Sequence, residues 1–160
     1  MISLGVLGAI DTYITATLIL VPVWVTFIAW ASFFACGGGT AGIIKSIASN
    51  FTGILIASTT LLIIKLGPSG PLFAAILVGL GTSAMVFASI KKLLDFTPAI
   101  VFGFASLVGT TAATQTTITV GEVGMHPTLV AMLAMAIGAG FGFASEVVTK
   151  ALSAEQPAEA

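Results

Sequence analysis

Arginine is absent from this chain of 160 residues, and cysteine, histidine and tyrosine occur once each. With no arginine and a net charge of −1 there is no basic surface to hold a nucleic-acid backbone, so no nucleic-acid partner is expected. The lone Cys36 excludes an internal disulfide. The first lysine is Lys45, so the opening apolar stretch lacks the positive region of a cleaved signal peptide. Charge of either sign is scarce: 7% of residues, against about one quarter in a soluble domain. So few charges cannot cover a soluble surface. Together with 58% hydrophobic residues and a mean hydropathy of +1.18, they identify an integral membrane protein.

The signatures of catalysis are missing as well. There is no Ser/His/Asp arrangement and no cysteine cluster, and Gly37-Gly38-Gly39 lacks the lysine and the strand–helix context of a phosphate loop. Glu122 and His126, four apart in "TVGEVGMHP", are too few ligands for a closed metal site. The expectation is a protein that is not an enzyme, with no cofactor and no metal. "NFT" at 50–52 matches a glycosylation sequon by chance.

What is present is six hydrophobic segments, which read as an all-α membrane domain. The first runs over about 2–20 and contains Asp11. The second, Val23 to Cys36, follows Pro22, carries two tryptophans and three phenylalanines, and ends at three glycines. At 1.5 Å per residue it reaches only ~21 Å, short of a ~30 Å hydrocarbon core. The third covers about 41–66, polar at first ("KSIASN") and then apolar. The fourth, 71–90, follows the turn "GPSGP" and holds no charge. The fifth spans about 98–113, and the sixth, 128–149, opens after His126-Pro127. The polar "ALSAEQPAEA" at 151–160 reads as an unstructured tail, leaving 1–150 as a single transmembrane domain.

The five lysines orient the segments. If all six cross and the N-terminus is cytoplasmic, Lys45, Lys91, Lys92 and Lys150 lie inside and Lys65 alone outside, as the positive-inside rule favours. Both termini are then cytoplasmic. Six crossings also divide into two three-segment units of opposite orientation, which makes them candidate inverted repeats. In each, the middle segment is short or broken, has a proline at its start, and ends in small residues. Trp30-Ala31-Ser32 aligns with Phe104-Ala105-Ser106, although "FGFAS" at 102–106 also recurs at 141–145, which fits no simple inverted alignment.

The stretches "PVWVTFIAWASFFACGGG", "KSIASNFTG" and "LLDFTPAIVFGFAS" closely resemble the YcdZ-like family of small bacterial inner-membrane proteins, a domain of unknown function. The resemblance covers almost the whole chain to about Lys150. It implies a bacterial inner-membrane location and carries over no site residue.

Candidate sites each stand beside a plainer reading. Asp11 is the acid deep in a hydrophobic segment, a proton or cation site or else, with Thr12, a helix cap near an interface. Trp24, Phe27 and Trp30, three apart, share a helical face and line a solute path with Gly37, Gly38 and Gly39, or else anchor and pack the helix. Phe33 and Phe34 belong to the same aromatic set. Phe102, Phe104, Ser106 and Thr110 continue the path, with Thr111, Thr114 and Gln115, or else the hydroxyls bond their own helix backbone. Ala134, Gly138 and Gly142 form a stripe for close helix packing, and Ala136, Gly140 and Ala144 a second.

The leading expectation is a channel or facilitator for a small uncharged solute or weak acid, embedded in the lipid bilayer as a homo-oligomer. Aromatic faces, hydroxyls and glycine backbone are abundant, and ionisable groups within the segments are scarce. One alternative is a proton-coupled transporter using Asp11. The other is a non-transporting accessory or scaffold that binds a partner, in which Trp30 and Gly38 serve packing alone.

Overall fold

The computed structural model describes residues 2–114 and 126–154. These form six helices and a short 3-10 turn: α1 Ile2–Thr17, α2 Val23–Ala35, α3 Gly39–Leu66, α4 Pro71–Ala88, the turn Lys92–Leu94, α5 Thr97–Thr114 and α6 Pro127–Ala154. Prolines mark the starts, because the missing N–H falls where a helix has no intrahelical acceptor for it: Pro22 precedes α2, Pro71 opens α4 and Pro127 opens α6. Pro98 is the second residue of α5, so it starts that helix without interrupting it.

Four helices are long and apolar enough to cross a membrane: α3, α4, α5 and α6. The short middle helix of the first half is as expected, with α2 at 13 residues, or ~20 Å. Its counterpart differs, since α5 runs unbroken for 18 residues through its threonines. The sixth helix also passes Lys150 and continues to Ala154, taking the first four residues of the expected tail; residues 155–160 lie outside the described residues.

Neighbours in sequence run antiparallel, while the most extensive packing joins parallel pairs, α3 with α5 and α2 with α6. Along α3 and α5, Lys45 pairs with Asp95 and Gly53 meets Ile100. Along α2 and α6, Thr26 meets Gly138 and Trp30 meets Ser145. Both crossings bring backbone onto backbone. A methyl on Gly53 would overlap the Ile100 carbonyl, and one on Gly138 the Thr26 carbonyl. The apolar core lies between them, with Val25, Ala29, Ile54, Leu107, Ala134 and Met135 fully buried.

One end of this bundle collects most of the charge. Lys45 pairs with Asp95, which follows Lys91 and Lys92, and Lys150 pairs with Glu146 beside the start of α3. Lys65 stands at the far end of α3, twenty residues or ~30 Å away.

The halves repeat one another in burial. A constant offset carries Val25, Thr26, Ala29, Ser32 and Phe33 of α2 onto Ala99, Ile100, Gly103, Ser106 and Leu107 of α5, all buried. It also carries the outward-facing Phe27, Ala31 and Phe34 onto Val101, Ala105 and Val108. A second offset carries Ser46, Ser49, Asn50, Gly53, Ile54 and Thr60 of α3 onto Ala131, Ala134, Met135, Gly138, Ala139 and Ser145 of α6, again all buried. In α1 and α4 the buried pairs Asp11/Thr15 and Gly81/Met85 have the same spacing. The two glycine crossings, Gly53 on Ile100 and Gly138 on Thr26, are equivalent under these offsets.

Candidate functional site

Asp11 lies in the interior of α1 and is fully buried, so the cap near an interface is replaced by a carboxyl inside the bundle. The turn at 18–22 folds α2 back against α1 and sets Thr26 beside it. Thr26 Oγ1 is 2.7 Å from Asp11 Oδ2 and 2.7 Å from the Val23 carbonyl oxygen, with one proton to give. The Thr26 hydroxyl is the donor in both contacts and shares its proton between the carboxyl oxygen and the carbonyl oxygen. The other carboxyl oxygen, Oδ1, has no partner. Thr15 supports the position by donating to the Asp11 carbonyl at 2.6 Å. A charged Asp at a helix centre costs ~2.5–3.5 kcal/mol on insertion scales, so a buried carboxyl at this place is a candidate functional group.

The aromatic set does not line one slot. Trp24 lies against Gly109 of α5, whereas Phe27 packs on Gly8 of α1 and stacks on Trp30, ring centroids 5.9 Å apart. Trp30 is buried against α6, where its Nε1 donates to Ser145 Oγ at 3.0 Å. Phe33 is fully buried, edge-on to Phe143 and against Gly142. The shared face read from a spacing of three is divided because α2 is packed from several sides, by α1, α3, α5 and α6.

Gly37, Gly38 and Gly39 sit at the charged end, all with positive φ, where α2 turns into α3. Glu146 of α6 closes this turn, its Oε2 accepting from the Gly39 N–H at 2.6 Å at the start of α3. The three glycines therefore clasp three helices together. A Cβ on Gly38 would lie 2.9 Å from Glu146 Oε2 at a φ of +67°. The Gly38→Ala variant is expected to lose about 1–3 kcal/mol for the backbone conformation alone, read as a lower melting temperature. Glu146→Ala should lower it too, by stranding the Gly39 N–H.

In the fifth helix, Phe104 packs against Gly81 of α4, and Phe102 is half-buried. Ser106 is fully buried with an unpartnered Oγ, while Thr110 donates to the Ser106 carbonyl at 2.7 Å. On α6, Ala134 is buried, Gly138 meets the Thr26 backbone and Gly142 meets Phe33 and Trp30, whereas Gly140 has open space beside it. His126 Nδ1 accepts from the Thr128 N–H at 3.3 Å, while Glu122 and Gln115 lie outside the described residues. No group of three metal-ligating side chains occurs among the described residues.

Sequence reasoning passed over a second polar group. On α3, Ser46, Ser49 and Asn50 are all fully buried, and Ser32 of α2 donates to Asn50 Oδ1 at 2.9 Å. Their spacing of three and four, followed by Gly53, was the available signal: one helical face, polar where a membrane helix is normally apolar.

No curated protein and no solved structure matches this chain. Residues 1–150 match a family described as "Protein of unknown function (DUF1097)", and the chain belongs to that family.

Proposed function

We propose that this protein is a proton-linked carrier of a small uncharged polar solute, with Asp11 as its proton site. The fully buried carboxyl on Thr26, inside a spanning bundle, is the observation that carries this reading. An ionisable group at such a place is expensive and is a functional candidate by default. The reading departs from an open facilitator because α2·α6 and α3·α5 meet backbone to backbone, which favours a path opened by movement.

The repeated burial pattern supports two inverted halves, α1–α3 and α4–α6, rocking against one another. The proposal extends to a bacterial inner membrane, to self-association, and to both termini on the cytoplasmic side with the cluster Lys45, Lys91, Lys92 and Lys150. Cys36 tests the orientation, since it lies at that end. An impermeant maleimide should reach it from the cytoplasmic side only. Burial pushes its thiol up, with Lys45 opposing, so labelling should be slow at neutral pH and accelerate as pH rises.

The decisive experiment uses purified protein in liposomes with a trapped pH dye and gradients of urea, acetamide, glycerol and acetate. The carrier reading expects that a solute gradient moves protons and that a pH gradient drives uptake. Solute flux without proton movement returns the protein to the passive facilitator. No flux with any of the four favours the accessory that binds a partner.

A further inference from the structure

We propose that Ser32, Ser46, Ser49 and Asn50 form the binding site for the carried solute, a small neutral molecule of the urea or short-amide class. This deepens the carrier reading and rests on it for its role in transport, although binding itself is measured separately.

The four side chains are fully buried between α2 and α3, against α5. Asn50 Nδ2 and Ser49 Oγ have no hydrogen-bond partner. Burying polar groups without partners is unfavourable, so their presence needs a reason. Packing does not supply one. The equivalent positions in the second half, Ala131, Ala134 and Met135, are apolar and fully buried. The face of α3 that carries Ser46, Ser49 and Asn50 is therefore apolar in its counterpart on α6, while Ser106 of α5, the counterpart of Ser32, stays polar, so the polarity of α3 is surplus to the packing.

The groups also match a ligand. Asn50 Oδ1 is occupied by Ser32, which leaves Nδ2 to donate towards a guest. Ser49 Oγ can donate or accept, while Ser46 gives its proton to the Ile43 carbonyl at 3.2 Å and keeps its lone pairs. The complement is a molecule with one strong acceptor and adjacent donors, which is a carbonyl bearing amino groups. Charge is not wanted, because the nearest ionic groups on this side, Lys45 and Asp95, already pair with one another. The glycine contact holds the site in place: a methyl on Gly103 of α5 would overlap the Asn50 carbonyl, so the α3 backbone is seated directly on α5.

The test is thermal unfolding of the purified full chain, followed by tryptophan fluorescence, with and without acetamide, urea below denaturing levels, or glycerol. Wild type, Asn50→Leu and Ser49→Ala are compared. The proposal expects acetamide or urea to raise the wild-type melting temperature and to lose that effect in Asn50→Leu. Without solute, Ser49→Ala should melt at or above wild type, since it removes an unpartnered group, whereas Asn50→Leu also strands the Ser32 hydroxyl and is read for its loss of the solute effect. A lower melting temperature in both variants with the solute effect intact makes the cluster a structural network and overturns the site. A shift with glycerol alone overturns the amide class, and no shift with any of the three overturns binding here. Liposome flux separates the two proposals. Binding without transport by wild type defeats the carrier reading and leaves the site, whereas transport unchanged in Asn50→Leu defeats the site and leaves the carrier.

Discussion

Asp11→Asn is expected to bring proton-driven uptake in liposomes down to the level of empty vesicles while leaving the helices in place. Asparagine has nearly the same shape and keeps an oxygen for Thr26, but it cannot take up or release a proton. The variant should therefore melt at or above wild type, because it removes an ionisable group whose charged form costs ~2.5–3.5 kcal/mol at a helix centre. Stability and activity move in opposite directions, which separates a proton site from a packing residue. Thr26→Val should weaken uptake to a lesser degree, since it removes the hydroxyl that lies 2.7 Å from the carboxyl but leaves the titrating group. Uptake in Asp11→Asn that still follows the pH gradient at the wild-type rate would sink the assignment.

The second large effect concerns the two glycine crossings. Overpacking a core commonly costs ~1–3 kcal/mol when side chains can adjust. At Gly53 and Gly138 the obstacle is a carbonyl of the facing helix, so whole helices must part. Gly53→Ala and Gly138→Ala should each exceed that range, enough to abolish a cooperative thermal transition or prevent accumulation in the membrane. The two crossings sharpen the comparison, because contacts of like geometry should show similar losses. Gly140→Ala and Gly79→Ala, each with open space around the added methyl, serve as matched controls and should behave as wild type. A tolerated Gly138→Ala would show that α2 and α6 do not meet backbone to backbone.

The fold was largely legible because its signals are local. Runs of apolar residues bounded by Pro22, Pro71, Pro98 and Pro127 mark helix starts whatever the tertiary arrangement. The short second helix followed from the distance between a proline and three glycines. Asp11 was visible but ambiguous, since ten residues before it fit a cap as well as a buried site. What decides is Thr26, brought alongside by a turn whose path sequence spacing does not reveal. The polar face on α3 was hidden for another reason. "KSIASN" reads as the polar entrance of a segment, and only the depth of the packing against α2 and α5 shows those side chains to be interior.

The aromatic slot failed on the same point from the other side. A spacing of three places Trp24, Phe27 and Trp30 on one stripe, but α2 is short and enclosed, so each ring meets a different neighbour. The shared burial pattern of α2 and α5 was partly legible, through Trp30-Ala31-Ser32 and Phe104-Ala105-Ser106. That of α3 and α6 was not, because these helices share a pattern of burial with few residues in common.

The depth of Asp11 has an electrical consequence. It lies six residues from the end of α1, ~9 Å along the helix, so a proton arriving from that side crosses part of the bilayer before binding. A full crossing is worth ~2.3 kcal/mol per 100 mV for each elementary charge, and the site feels a fraction of that. In an energised cell, its occupancy would follow voltage as well as proton concentration. On the proposed carrier reading, with the end of α1 facing outward, membrane potential alone would favour loading of Asp11 from outside.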